Sequence, residues 1–178
     1  MLNYTLEVCW ALLATLAFSI IFQVAGKRLI LSTLAGGIGW VVLSVALHHF
    51  RYSSVTSFLF SAMSITVYAE IVAKKMKTTV TTTLIPGLIP LVPGSGIFFT
   101  MDNFVQGNYS KAVDLGRETL FVTAAITIGI VFITSISQII IRILKYKTIL
   151  QKYQHHHKAH KHKNKRVISF FETTSFSL

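Results

Sequence analysis

The stretch from Thr78 to Met101, TTVTTTLIPGLIPLVPGSGIFFTM, decides how the chain can fold. It carries no charged residue and is long enough to cross a bilayer, which takes about 20 apolar residues. All 3 prolines of the chain lie in it, and each proline removes a helical N–H and clashes with the preceding turn. The stretch therefore predicts a kinked, split or re-entrant membrane helix. Because broken backbone at membrane depth needs protein or a water-filled cavity around it, the break is the candidate binding site.

Composition and charge indicate an integral membrane protein. Hydrophobic residues make up 52% of the chain and charged residues 13%, whereas a soluble domain carries about 25% charged residues. Residues 1–145 are expected to form a transmembrane domain, followed by a basic, His/Lys-rich cytoplasmic tail over 146–178. The net charge of +11 is concentrated in that tail, which favours contact with anionic membrane lipids over nucleic acid. The single cysteine, Cys9, excludes an internal disulfide and a Cys-based zinc site.

The hydropathy pattern predicts an all-α, polytopic fold with five transmembrane helices, the fourth of them broken. The expected spans are about 4–25, 29–47, 54–73, 78–101 and 119–141. The first stretch lacks the basic region of a signal peptide, so it is interpreted as a retained span.

The distribution of lysine and arginine predicts the orientation of these spans. Five spans place the termini on opposite sides, and the side with more Lys and Arg is normally cytoplasmic. We therefore expect a cell-membrane protein with its N-terminus outside and its C-terminus in the cytoplasm. The inner side would carry the tail cations with Lys27, Arg28, Lys74, Lys75 and Lys77, and the outer side Arg51, Lys111 and Arg117.

Small and hydroxyl-bearing residues recur at helical spacing in three spans. Gly36, Gly37 and Gly39 in the second span fit close helix packing better than contact with a ligand. A serine face from Ser54 to Ser64, continued by Tyr68, could line a pathway or bond a neighbouring helix. Threonines of the fifth span can bond back to their own helix, so they are weak evidence for a pore.

The two half-helices of the broken span would present opposite partial charges of about half a unit each. The first is expected to end near Ile85–Gly87 with free carbonyls, and the second to begin near Ser95–Gly96 with free N–H groups. A carboxylate suits the N–H end and an ammonium group the carbonyl end, so the pair suits a small amino acid. A structural kink without a ligand is the alternative. The candidate substrate-binding residues are Pro86, Gly87, Pro90, Pro93, Gly94, Ser95 and Gly96, with Pro90 near the bilayer centre.

Coupling to protons would need a titratable group near the break. Asp102 is the best-placed candidate, although an interfacial position is equally compatible with the sequence. Glu70 is a second candidate, and pairing with the lysines that follow it is the favoured interpretation. The tract from His155 to His162 could bind metal, but a solvated, lipid-facing tail is favoured. No Ser/His/Asp or Cys/His arrangement, P-loop or HExxH motif occurs, so we predict no enzyme, no cofactor and no resident metal.

An ordered set of motifs resembles the threonine/serine exporter family, in particular the small five-span subunit of its bipartite members. The resemblance covers about residues 1–145. Phe98-Phe99 stands where the family often has a tyrosine, and the basic tail departs from the family pattern. The motifs are Pro93-Gly94, Phe98-Phe99, the turn Gly107-Asn108, the helix Ala112–Gly116, and Gly36–Gly39 in the second span.

This resemblance implies a proton-driven secondary exporter of threonine and serine, or of dicarboxylates such as succinate in one branch. It also implies a second, larger membrane subunit with its own Pro-Gly break. Two alternatives stay open: a membrane scaffold or assembly protein that does not transport, and a pore formed by a homo-oligomer.

Overall fold

The computed structural model describes the backbone of residues 2–175, and the side chains of residues 5–143 and Tyr146. Within residues 2–175 all regular structure is helical and no strand occurs, which confirms the predicted all-α fold. The helices are α1 (Leu2–Ile21), α2 (Lys27–His48), α3 (Ser54–Met76), α4 (Thr81–Leu88), a 3₁₀ segment (Ile89–Leu91), α5 (Gly94–Val105) and α6 (Tyr109–Ser175).

Three helical segments in the described part are long and apolar enough to cross a membrane: α2, α3 and the Tyr109–Ile143 part of α6. The segments Thr81–Leu91 and Gly94–Val105 are bent by 43° relative to each other. They form a fourth candidate if the two segments together make one span. The described apolar part of α1, Thr5–Ile21, is shorter. A polytopic membrane protein with three to four candidate spans is therefore established, and the fifth span stays a prediction.

Helix α2 is central because its small residues admit neighbours on several sides. A methyl group added at Gly36 would collide with Thr15 of α1, and one at Gly39 would collide with Ile65 of α3. Two hydrogen bonds follow the same contacts: Ser19 donates to Ser32 over 3.0 Å, and Ser61 donates to the Gly39 carbonyl over 2.6 Å. The glycines thus lie where a packing role requires them, with side chains of α1 and α3 filling the space.

The chain between α4 and α5 differs from the sequence expectation in where the first half-helix ends. Pro86 lies inside α4, and the helical path continues as 3₁₀ to Leu91, past the expected end at Ile85–Gly87. The tighter helix supplies donors that the prolines lack: the Ile89 N–H bonds the Pro86 carbonyl, and the Val92 N–H bonds the Ile89 carbonyl over 3.1 Å. These carbonyls are therefore satisfied within the chain.

The chain divides into two compact units, residues 1–135 and residues 136–178. The first contains α1 to α5 and the start of α6, and the second continues α6 to Ser175. The predicted division into 1–145 and 146–178 stays a prediction. The side chains of the His155–His162 tract lie outside the described residues, so the proposed roles of that tract stay open.

Candidate functional site

Helix α5 begins at Gly94 with its first turn open. Pro93 precedes it, and no side chain forms a capping hydrogen bond. Gly94 and Ser95 are exposed, and a Cβ added at Gly94 would meet nothing within 4 Å. The first N–H groups of any α-helix have no partner inside the helix. At this end Pro93 has no N–H and the Gly94 N–H bonds the Val92 carbonyl over 2.6 Å. The N–H groups of Ser95 and Gly96 are therefore the donors left for a ligand, and the helix dipole adds positive potential. This end of α5 can therefore receive an anion, one residue from the expected start at Ser95–Gly96.

A reciprocal packing arrangement fixes this end of α5 against α6. A methyl group at Gly96 would collide with Thr119, and one at Gly116 would lie 3.2 Å from Cγ2 of Thr100. Both threonine hydroxyls donate within their own helices, Thr100 to the Gly96 carbonyl over 2.6 Å and Thr119 to the Leu115 carbonyl over 2.7 Å. Each helix thus contributes one glycine, and a threonine of the other helix packs against it.

Thr119 is a candidate site residue that the sequence reasoning missed, since it packs against Gly96 in the first turn of α5. The sequence contains a glycine and a threonine at helical spacing in each helix, Gly96-x-x-x-Thr100 and Gly116-x-x-Thr119. Neither spacing shows that these two helices pack against each other. Because its proton is used inside α6, the Thr119 oxygen can only accept a further hydrogen bond. It therefore places an acceptor beside the N–H donors of α5.

We expect Gly96→Ala to separate α5 from α6 and to lower the thermal stability of the chain, because the new methyl meets Thr119. The cost should be about 1–3 kcal/mol, the usual range for overpacking. Thr119→Ala removes the colliding atoms, so the double variant should recover most of the loss. Thermal unfolding of the four chains in detergent measures this, and additive losses in the double variant would contradict the packing.

The seven predicted binding residues do not share one surface. Pro86 and Gly87 are buried, and a Cβ at Gly87 would lie 2.9 Å from Cβ of Ala35 and 3.3 Å from Cγ2 of Ile65. Pro90 and Pro93 are partly buried, whereas Gly94 and Ser95 are exposed. The accessible part of the predicted site is therefore the start of α5, and the start of the break is packed core.

The two carboxylates proposed for proton coupling lie in different settings. Asp102 is half-buried and accepts a hydrogen bond from Gln106 over 2.9 Å. It follows Gly94 by eight residues, about 12 Å along α5. Glu70 is buried near the end of α3, with its carboxylate 4.0 Å from the Lys74 ammonium, the pairing that the sequence favoured. Of the two, only Asp102 lies on the helix that starts at the break.

Most hydroxyls of the predicted polar faces bond backbone in the structure. Ser57 and Ser64 donate to carbonyls of their own chain segment, as do Thr123, Thr127 and Thr134 on α6. Three buried polar atoms have no partner in the described chain: Trp40 Nε1, Tyr68 Oη and Thr83 Oγ1. A threonine inside a helix usually donates to the carbonyl four residues before it. Thr83 lies in the first turn of α4, so that carbonyl belongs to a residue before the helix. The serine and threonine faces therefore fit helix packing.

Within the described residues, no group of three or more His, Cys, Asp and Glu side chains could hold a metal ion. The prominent features are membrane-length helices, a helix broken at proline and an open helix start beside the break. Together they define a polytopic helical membrane protein with three to four candidate spans.

The family follows from comparison with known proteins. Residues 7–136 match the family model of the Threonine/Serine exporter, ThrE, and the chain belongs to this family. The predicted resemblance is thereby confirmed, and the chain is a member of an exporter family and not an enzyme. Comparison with curated proteins and with solved structures gave no match.

Proposed function

We propose that this chain is the small subunit of a proton-driven secondary exporter for threonine, serine or a related small carboxylate. The observation that carries the proposal is the open start of α5 at Gly94 and Ser95, directly after the break. A carboxylate is common to all these substrates, and backbone N–H groups at a helix start bind it without a charged side chain. The acceptor oxygen of Thr119 lies beside these donors and suits the ammonium group of an amino acid.

We place five spans in the cell membrane, with the N-terminus outside and the C-terminus in the cytoplasm. Helix α1 runs along α2, since Ser19 bonds Ser32 and Leu12 packs at Gly37. Because α1 packs along α2, which is long enough to cross the membrane, we interpret α1 as a span too. The bent pair α4–α5 supplies the fourth span, and the Lys and Arg distribution gives the orientation.

A second, larger membrane subunit would complete the site. No residue of α5 is buried, and the most apolar part of the Tyr109–Ile143 segment is only 17% buried, compared with 39% for α2 and 44% for α3. The open helix start thus lies on a sparsely covered side of the chain, where a second subunit can close the cavity that broken backbone requires. A homo-oligomer would cover the same side with a second copy.

The direct test is an efflux assay in cells that express the chain with and without a candidate larger subunit. We expect loaded threonine and serine to leave faster only when both subunits are present, with the difference abolished by a protonophore. Efflux of loaded succinate in place of threonine and serine would instead assign the chain to the dicarboxylate branch. Unchanged efflux of all three substrates, with both proteins in the membrane, would favour the scaffold alternative. Full export by this chain alone would favour the homo-oligomeric pore.

Asp102→Asn is expected to keep the complex intact but to remove the response of export to an imposed pH gradient. The asparagine preserves the size of the side chain and its bond from Gln106, and it cannot carry a proton. Asp114→Asn is the matched control, because Asp114 is an exposed carboxylate 3.8 Å from Arg117. Proteoliposome flux at several pH gradients measures the effect, and an unchanged gradient response in Asp102→Asn would assign coupling elsewhere.

A further inference from the structure

A groove of about 570 Å³ opens between α1 and α2, away from the break. Val8 and Cys9 of α1 line one wall, and Val41 and Val45 of α2 line the other. The two helices pack closely at Gly36 and Gly37, and beyond these glycines α2 carries the larger valines. The close contact therefore gives way to a cleft near the end of α2.

One end of the groove carries two histidines, and the rest is mainly apolar, with Thr5 and Ser44 as its other polar residues. His48 and His49 line it where α2 ends, and exposed Arg51 follows in the loop to α3. Among the described residues that line the groove there is no carboxylate. Imidazole and guanidinium N–H groups are donors for a phosphate, so this end is complementary to an anionic head group.

Aromatic rings mark the same end as the membrane–water boundary. Phe50 stacks on Tyr52 with ring centres 5.6 Å apart, and Tyr52 approaches Phe60 at 6.1 Å. All three rings are about half exposed. Tyrosine side chains gather at the head-group level of membranes, so Tyr52 supports a position of the polar end of the groove beside the lipid head groups.

The groove has the dimensions of a lipid chain within one leaflet. From His49 to Val41 it follows eight residues of α2, about 12 Å, and one leaflet of the hydrocarbon core is about 15 Å deep. Its volume of about 570 Å³ is typical of a small-molecule site. A mainly apolar channel of this length, with imidazole and guanidinium N–H donors at one end, fits a phospholipid better than a helix about 10 Å across.

We propose that this groove binds one phospholipid, with an acyl chain between α1 and α2 and the phosphate at His49 and Arg51. The site is separate from the break, so it stands or falls independently of the proposed transport function. Bound lipid would hold α1 against α2 at the end where their glycine contacts stop.

Cys9 provides the probe, because it is the only cysteine of the chain and lines the groove. In the purified full-length protein, phosphatidylglycerol should slow alkylation of Cys9 about tenfold at about ten times its Kd. Diacylglycerol with the same chains, which lacks the phosphate, should protect far less. Native mass spectrometry should show one retained phosphatidylglycerol per chain.

Variants at the polar end complete the test. His49→Ala with Arg51→Asn should abolish retention of the lipid and restore Cys9 alkylation. Asparagine is chosen because Arg51 has φ 49°, a conformation that asparagine tolerates. Lys75→Gln, at the other end of α3, is the control and should retain the lipid. Three results would each overturn the proposal. The wild type could retain no phosphatidylglycerol, or diacylglycerol could protect Cys9 from alkylation equally well. Protection of Cys9 could also grow with protein concentration when no lipid is present.

Discussion

Gly94→Trp is expected to stop export while the subunit still folds and reaches the membrane. A side chain at this position extends into open space, so it should not disturb the packing of α5. It would cover the first-turn N–H groups that we assign to the substrate carboxylate. A hydrogen bond to a charged group contributes about 1.5–3 kcal/mol, so losing even one should lower the rate of export about tenfold to a hundredfold.

Gly94→Ala is the matched control, because a methyl group meets no atom there and leaves the N–H groups accessible. We expect this variant to keep near-normal export. The measurement is threonine efflux normalised to the amount of complex in the membrane. Normal export by Gly94→Trp in an assembled complex would show that the open start of α5 binds no substrate.

Gly87→Ala is expected to act through stability, although the sequence placed Gly87 in the same candidate site as Gly94. Its new Cβ would lie 2.9 Å from Cβ of Ala35 and 3.6 Å from the Ala35 carbonyl carbon. Ala35 is fully buried, and its Cβ is bonded directly to the α2 backbone and cannot rotate away, so the strain should cost about 1–3 kcal/mol. Thermal unfolding in detergent should show the loss directly.

Export by Gly87→Ala should fall only in proportion to the folded protein that remains. Transport per assembled complex, and the apparent KM for threonine, should therefore be unchanged. A raised KM with unaltered thermal stability would instead place Gly87 in contact with the substrate. The two glycine variants thus separate packing from binding within one broken span.

The sequence supports the membrane class, the break and the family because each depends on local properties. Apolar runs predict helices, three prolines in 24 residues exclude a smooth helix, and the ordered motifs carry the family resemblance. The start of α5 was predicted to within one residue of Gly94 because Pro93 cannot continue a helix and glycine follows it. These features need no knowledge of what packs against what.

The features that sequence reasoning missed depend on contacts between helices. The end of the first half-helix was placed too early, because a 3₁₀ segment can supply donors after Pro86 and Pro90. Thr119 was missed because its role comes from the registration of α6 against α5. Gly87 resembles Gly94 in sequence, and the positions of Ala35 and Ile65 distinguish them. Spacing along one helix cannot reveal the register between two.

The registration of α5 on α6 also fixes how far a released substrate must travel. Thr119 directly follows the charged residues Arg117 and Glu118 on α6. Since Gly96 packs at Thr119, the register of α5 on α6 fixes how far the open start of α5 lies from these charges. If the proposed substrate binds there, the distance between its site and these charges is set by a contact between two helices and not by the break itself.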